Sequence, residues 1–553
     1  MDEEEKAQKI EEKISYKISF SERVGRNTLF ILASNIINFG LKTVLIPIIL
    51  GFIQYDWGYY YIIRSYAMLI VFITSFITLG INFSSPKWIS EYLSLNNNKK
   101  LNDVFSLLFF LNILTAIVRI ILLYVVLILY LPSNLVIEAS FFNIYFFSAI
   151  SMILLIPALS FQSIFLNILA GFQRNDFIVF INIIINIVIS ISKLVLIFLK
   201  FNIIGLIISD YLYLYFGSFV MYYIIKKRYP SLKFNFKSIN FKNIKEFCTS
   251  GFTMRLANFD STLYNDINTI LIQNFASFSP VYTDPKILIT NYATSMKIGR
   301  YSTALTSSIE SGNLSIATEL FVKNEKQKLK ELFGRIINLS FFFALSIATG
   351  ISLLSNNILL HYLGPAFQDS WFILVCFLFM FAINLNTQFC KELLQTMNLT
   401  KKLLYITIGE YSALIIFSLI GFIFFGVSGM AFGVLMAIAI YSTIVILYTA
   451  KKINFSGKKL GKIFLKIITS IIVPVIIFLI LLYYNIIPYF GNEGFIYLIF
   501  DGLILLAFFG ISTLIFYILK GLNKKDIDAL KRSIKNIYKS IKRRVFSILR
   551  IKR

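Results

Sequence analysis

The sequence predicts an all-α, polytopic membrane protein with about 14 transmembrane helices. Three observations carry that expectation. The 553 residues are 57% hydrophobic and 15% charged, with a mean hydropathy of +0.76; a soluble chain would carry roughly 25% charged residues. Apolar runs of about 20 residues recur along the whole length, each long enough to cross about 30 Å of hydrocarbon. The Lys and Arg residues gather in the short segments between those runs. The formal net charge of +25 is therefore assigned to topology and to contact with acidic lipid, and nucleic-acid binding is set aside.

Taken in order, the apolar runs lie near 27–53, 58–83, 102–131, 141–170, 177–199, 203–225, 247–276, 288–318, 332–360, 367–390, 403–425, 427–450, 463–485 and 494–520. The seventh and eighth are the least apolar, and a single hydropathy threshold would pass over them. With the N-terminus inside, the basic segments Lys6 to Arg26, Lys87 to Lys100, Lys226 to Lys245, Lys323 to Arg335, Lys391 to Lys402, Lys451 to Lys462 and the tail are all cytoplasmic. Lys200 and Lys286 fall outside. That asymmetry orients the chain in a cell membrane with both termini cytoplasmic.

The organisation follows from the spans. Residues 1–26 form an acidic, polar cytoplasmic segment without the architecture of a cleavable signal. Residues 27–226 hold helices one to six, an N-lobe. A basic cytoplasmic linker, 227–246, separates it from a C-lobe of helices seven to twelve, 247–450. Helices thirteen and fourteen, with the basic loop before them, occupy 451–520. An even number of spans per half makes the two lobes parallel repeats, one of the arrangements found in transporters. The tail, 521–553, has Ile527, Leu530, Ile534, Ile537, Ile541, Val545 and Ile548 at steps of 3 or 4 among Lys and Arg. It reads as an amphipathic helix on anionic lipid, with a partner enzyme as the weaker alternative.

Charge inside the spans is where chemistry is expected, because an ionised group in hydrocarbon must be paired, hydrated or turned to a cavity. The stretch from Cys248 to Leu320 is densest. It carries Arg255, Asp260, Asp266, Lys297, Arg300 and Glu310 among many Asn, Ser and Thr. Arg255, Phe259, Thr262, Asp266 and Thr269 share one helical face, as do Lys297, Arg300, Ala304 and Ser308 on the next helix. The first half adds Lys42, Arg64, Arg119, Lys193 and Asp210, with Asn35 and Asn38 on the face of Lys42.

Cations outnumber anions in this set, and a cationic cavity suits an anionic guest. Arg grips two phosphate oxygens at once, and Lys adds a point charge. The expected substrate-binding residues are Lys42, Arg64, Arg255, Lys297 and Arg300. Asn35, Asn38, Arg119, Asp266 and Glu310 are polar or ion-coupling candidates. Against this, Lys42, Arg64 and Arg119 could each snorkel or pair with a carboxylate. Lys193 lies within snorkelling reach of the outer interface, and Asp266 could simply pair with Arg255 or Lys297. Glu410 and Asp501 are expected to have local partners.

Other chemistries find no support. Walker A, HExxH and G-x-S-x-G motifs are absent. Cys248, Cys376 and Cys390 have no metal-ligand spacing, and the lone His361 cannot form a metal site. No cofactor is expected. The longest outer loop, around Ser277 to Lys286, is too short for a glycan-transferring domain.

Several stretches nonetheless resemble a known family. Asn35, Pro47, Gly58-Tyr59 and Gly80-Ile81 mark the opening two helices, and NDINTILI (265–272) resembles an Asp-containing helix seven. IGRYSTALTSS (298–308) is similar to a Gly-x-Tyr-x-x-Ala pattern in helix eight, and LLHYLGPAFQDS and FGVSGMAFG match later surroundings. The pattern, spread over about Arg26 to Lys451, is similar to the polysaccharide-exporter, or Wzx-like, flippases of the multidrug/oligosaccharidyl-lipid/polysaccharide (MOP) superfamily. The resemblance implies two six-helix lobes around a central cavity, two extra C-terminal helices, and alternating access. It implies carriage of an isoprenoid-(pyro)phosphate-linked glycan from the inner to the outer leaflet. In related flippases basic residues on helices one, two and eight line the cavity, which here points to Lys42, Arg64, Lys297 and Arg300. The family's frequent Pro after the helix-eight motif is missing between Ala304 and Ala317.

The partners implied are the lipid-linked glycan, anionic lipids at the tail, and a glycan polymerase or transferase. Transport would draw on a Na+ or H+ gradient or the membrane potential. The alternatives are a drug/cation antiporter of the same fold, which would favour an anionic cavity, and a non-transporting scaffold of a glycan-assembly complex.

Overall fold

The computed structural model describes residues 20–95, 97–134, 141–172, 175–229, 232, 263–278, 284–303, 306, 317, 320–321, 323–397, 399–483 and 495–521. Among these there is no strand. Most of the N-terminal segment, most of the linker, Arg255, Glu310 and nearly all of the amphipathic tail lie outside the described residues.

In the first half, α1 (Phe20–Ile53) leads through a short turn into α2 (Trp57–Thr74). The second span does not run on as one helix. Thr74 gives way to a 3-10 turn, then to Leu79 (φ 50°) and Gly80 (φ 76°), both left-handed. The chain restarts as α3 (Ile81–Ser94). Gly80 tolerates that φ without a Cβ penalty, which is why the break falls there. The α4 helix (Asn98–Tyr124) is capped by the Asn97 side chain, which accepts from the Lys100 N–H at 3.1 Å.

The fourth span is broken at Pro157 into α5 (Phe142–Leu155) and α6 (Ala158–Gly171). Proline lacks the N–H a continuous helix needs and clashes with the preceding turn. A tight turn with Lys200 and Asn202 left-handed joins α7 (Asn175–Phe198) to α8 (Asn202–Arg228).

In the second half, a π turn at Leu263–Ile267 enters α9 (Asn268–Phe275). The polar α10 (Pro285–Ser302) starts on Asp284, whose side chain accepts from the Lys286 N–H at 2.9 Å, with Pro at the first position. Then come α11 (Lys326–Leu353), α12 (Ser355–Leu363), α13 (Trp371–Thr396), α14 (Thr400–Lys452), α15 (Gly457–Tyr483) and α16 (Phe495–Ile518).

Ten described segments are long and apolar enough to cross a membrane. Two of them fold back on themselves. Ile37–Thr78 takes in both α1 and α2. The 53 residues of α14 would be about 80 Å long if straight, far more than the roughly 30 Å of a bilayer core. They turn at Gly426 (φ 61°). The two arms pack backbone to backbone: a Cβ on Gly429 would lie 2.1 Å from the Gly421 carbonyl oxygen. Small residues permit that approach. With these two divided, and with the polar helices α9 and α10 added, the order is that of a protein with about fourteen crossings.

The buried core explains how the two halves sit. One apolar cluster joins them, with Leu45, Ile49, Trp57 and Ile63 against Ile289, Tyr292, Phe377 and Val434. It gathers at the end where α1 meets α2 and where α10 begins. There the Thr290 hydroxyl donates to the Tyr55 carbonyl at 3.2 Å, the Tyr55 hydroxyl donates to the Ala366 carbonyl at 3.3 Å, and the Tyr362 hydroxyl donates to the Thr43 carbonyl. Gly58 is seated so close to α10 that a Cβ would meet the Lys286 oxygen at 2.3 Å. Toward the basic-loop end the halves have separate cores. One is built on Val104, Leu108, Ile164 and Met221, the other on Phe333, Ile337, Leu393 and Tyr441. The two halves thus share a core at one end, the sealed end, and have separate cores at the other.

The last hairpin is fastened to α11 and α12. Phe342 stacks on Phe516 at 3.9 Å, and the Asn338 amide donates to the Gly521 carbonyl at 2.7 Å. His361 Nδ1 lies 2.7 Å from the Asp501 carboxylate, both buried, with Tyr497 stacked on the imidazole. Asp501 has the local partner expected of it. Glu410 lies 3.7 Å from Lys391 in the second core.

Candidate functional site

Between the two halves, below the sealed end, the structure gathers charge. Lys42 comes from α1, Arg64 from α2, Lys193 from α7 and Asp210 from α8. Asp266 comes from the turn before α9, and Lys297 and Arg300 from α10. The helix period accounts for the last two. They are three residues apart on one side of α10: Lys297 meets Trp57 and Tyr61 of the first half, and Arg300 meets Asn265 and Phe381 of the second, while Gly299 between them packs on α13; a Cβ there would lie 2.9 Å from Phe377 Cβ.

Two ion pairs organise the group. Arg64 Nη1 donates to Asp266 Oδ1 at 3.1 Å, linking the two halves. Lys193 Nζ lies 2.6 Å from Asp210 Oδ1, while the Tyr60 hydroxyl donates to Asp210 Oδ2 at 2.6 Å. Lys297 is held over two rings, 4.4 Å from the Trp57 centroid and 5.0 Å from that of Tyr61. Arg300 donates from Nη2 to Asn265 Oδ1 at 2.8 Å and lies 5.4 Å above Phe381. Lys42 is within electrostatic reach of Lys193, Asp210 and Arg300, and Lys297 within reach of Lys193, Asp210, Arg64 and Lys42.

By residue type, five basic side chains stand against two carboxylates in one neighbourhood, a formal excess of three. Lys42 and Arg300 are exposed, and Lys297 is half-buried. Such a group can hold an anion bearing two or three charges. An anion there would meet the exposed cations first, with the buried pairs fixing their surroundings.

Four of the sequence-predicted binding residues, Lys42, Arg64, Lys297 and Arg300, are brought together. The fifth, Arg255, lies outside the described residues, as does Glu310. Asn35 and Asn38 are half-buried on α1, below Lys42. Asp266 belongs to the cluster as the partner of Arg64. Arg119 does not join it. That residue is buried in the first-half core, donating from Nε to Thr74 Oγ1 at 3.1 Å and from Nη1 to Ser160 Oγ at 2.9 Å.

Sequence reasoning placed Lys193 at the outer interface and passed over its role with Asp210. A signal for the pair was available: the two residues flank the same short turn between α7 and α8, at similar distances from it. Among the described residues no group of His, Cys, Asp and Glu could hold a metal ion.

Residues 24–281 match the family described as "Polysaccharide biosynthesis protein". No curated protein sequence matches the chain. Among solved structures, the lipid II flippase MurJ in an inward closed conformation is similar with a TM-score of 0.60 and 16% identity, covering 89% of this chain and 98% of that one. An outward-facing MATE-family multidrug transporter of the MOP superfamily is similar with a TM-score of 0.58 and 13% identity, over 79% of this chain and 99% of that one. The Vibrio cholerae MATE transporter VcmN gives 0.55 and 12%, over 80% and 99%.

Proposed function

We propose that this chain, which has the fold of the MOP superfamily and matches the polysaccharide biosynthesis protein family over residues 24–281, is a flippase for an isoprenoid-(pyro)phosphate-linked oligosaccharide. The observation that carries the reading is the cationic excess between the lobes, with Lys42 and Arg300 exposed. A diphosphate ester offers the complementary charge. Its oxygens would be gripped by the Arg300 fork and the Lys42 and Lys297 ammonium groups, while the lipid tail stays in the bilayer. Binding would begin from the basic-loop side, which we take as cytoplasmic, and release would follow when the sealed end parts and the other end closes. The site residues are Lys42, Arg64, Lys297 and Arg300, with Lys193, Asp210 and Asp266 setting their charge.

The MATE neighbours favour a second reading, a drug or cation antiporter. A cluster with three uncompensated positive charges opposes it, because a cationic guest would be repelled. The deciding experiment measures membrane abundance, glycan export and headgroup affinity together for Arg300→Ala and Arg300→Lys. A charge-assisted hydrogen bond is worth about 1.5–3 kcal/mol, so Arg300→Ala should weaken affinity about ten- to hundred-fold at normal abundance. Arg300→Lys should recover only part, because ammonium lacks the two-pronged geometry. Normal export by Arg300→Ala at normal abundance would sink the anion grip at this residue. Efflux of a cationic dye without glycan export would favour the antiporter.

A further inference from the structure

Away from the polar cluster, on the lipid-facing side of the first half, α6 and α8 leave an open groove of about 240 Å³ between them. Phe161, Phe165, Tyr215, Ser218, Phe219 and Tyr222 line it. The helix period builds one wall, since Tyr215, Phe219 and Tyr222 recur at steps of 4 and 3 on α8. The rings lock across the groove, Phe161 to Tyr215 at 6.1 Å and Phe165 to Tyr222 at 5.7 Å. Ser218, a small residue between bulky ones, is the buried floor.

The polar atoms along this lining are mostly turned to internal use. Ser218 Oγ donates to the Leu214 carbonyl at 2.7 Å, and the Tyr215 hydroxyl to the Leu154 carbonyl at 3.0 Å. What remains facing outward is ring and methylene surface, suited to a guest that needs no hydrogen bonds. One turn beyond Tyr222, on the same face, Lys226 Nζ lies 5.9 Å from its ring centroid, with Lys227 beside it. Both lysines are exposed, and among the described residues neither has an ion pair.

We infer that this groove is a binding site for an anionic phospholipid of the leaflet at the Lys226 end, with one acyl chain in the groove and the phosphate on Lys226 and Lys227. The groove is too small for a transmembrane helix, which packs along a stripe several turns long. It is open to the outside of the helix pair rather than enclosed, as a chain entering sideways from the bilayer requires. The lysines stand where a headgroup would sit above a chain lying on Ser218, and they neutralise a phosphate while their stems stay on apolar surface. The inference is independent of the transported substrate.

The test uses the full-length protein in nanodiscs containing trace photoreactive lipid with a diazirine at the acyl terminus. Phosphatidylglycerol and phosphatidylcholine carrying the same chain are compared, and adducts are mapped by mass spectrometry. Phosphatidylglycerol should label peptides containing 161–165 and 215–222 at least threefold more than phosphatidylcholine. Lys226→Gln with Lys227→Gln should bring the two lipids to parity, and Ser218→Phe, which fills the floor, should remove the preferential labelling. Equal labelling by both lipids in the native protein would overturn the proposal. So would unchanged labelling in a monodisperse Ser218→Phe protein, or displacement by a polyprenyl phosphate at trace concentration, which would reassign the groove to the carrier lipid.

Discussion

Arg64 and Asp266, 202 residues apart in the chain, meet at 3.1 Å and tie the first half of the protein to the second. Asp266 is nearly buried and Arg64 partly so, with side-chain exposures of 6% and 28%. A pair in this setting contributes little net stability, because desolvation offsets attraction, but removing one partner strands a charge. Arg64→Leu or Asp266→Leu alone should therefore lower stability by about 3 kcal/mol, toward the low end for buried pairs. The double substitution should recover most of it. Thermal unfolding in detergent, read as a double-mutant cycle, checks the coupling. Export should stay impaired in the stable double variant, because the Arg64 guanidinium is lost from the site although the formal charge excess is unchanged.

The sealed end offers a steric test. A Cβ at Gly58 would lie 2.3 Å from the Lys286 carbonyl oxygen, which is backbone and cannot swing away. Gly58→Val should force α2 and α10 apart and loosen the seam made by Tyr55, Thr290 and Ala366. A cysteine replacing Thr290 should then react several times faster with an impermeant maleimide applied from outside. An unchanged rate in a folded Gly58→Val protein would mean that this contact does not hold the seam.

Orientation has its own test. Cysteines at Lys237 and Lys458 should resist an impermeant reagent applied to intact cells, while one at Ser279 should react. Outside labelling at Lys237 would invert the proposed topology.

Most of the architecture was legible because hydrocarbon imposes it: a span must be long, apolar and helical, so each shows as a run. Even α10, too polar to count by hydropathy, was marked by the alternation of basic segments around it. The breaks were less legible. The run 141–170 reads as continuous yet breaks at Pro157, whereas Pro47, Pro86 and Pro474 sit inside unbroken helices, so proline alone does not mark a break; Gly80 stands at the close of the second run, where the helix does stop. The cluster was legible as a set of residue types and not as a set of partners. Helical periodicity placed Lys297 and Arg300 on one face. Nothing local says that Arg64 will meet Asp266, or that Arg300 will bond Asn265, because those contacts depend on how helices distant in the chain pack together. Lys193 was assigned to the interface because snorkelling depends on depth alone, whereas Asp210 supplied a partner on the neighbouring helix.

The C-terminal hairpin should respond to loss of its contact with the buried His361 of α12. His361 and Asp501 are 2.7 Å apart and buried, bridging α12 and α16. Asp501→Asn replaces a charge-assisted contact worth about 1.5–3 kcal/mol with a weaker one. Limited proteolysis should cut the loop between α15 and α16 faster in that variant, and Phe342→Ala, which removes the stack on Phe516, should add to the effect. Unaltered cleavage in Asp501→Asn would show the pair to be incidental.

The final prediction concerns how tightly the cluster should hold an anion. Asp210 accepts from Tyr60 and pairs with Lys193, so it offsets one cation of the group. Asp210→Asn preserves shape and raises the uncompensated charge by one. Two unit charges about 8 Å apart at an effective dielectric constant near 20 interact by about 2 kcal/mol. Affinity for a diphosphate headgroup should therefore rise by as much as about thirtyfold. Tighter binding does not help a carrier that must also release, since a ligand held equally in both states shifts nothing. Export should fall while headgroup affinity rises, a combination that loss of folding cannot produce. The structural rival is that Asp210 only neutralises Lys193. It predicts reduced abundance for Asp210→Asn, restored by Lys193→Met, with affinity unchanged per folded molecule. Measuring abundance, headgroup affinity and export for the two single variants and the double separates the readings, and weaker binding by a stably folded Asp210→Asn protein would refute the charge account.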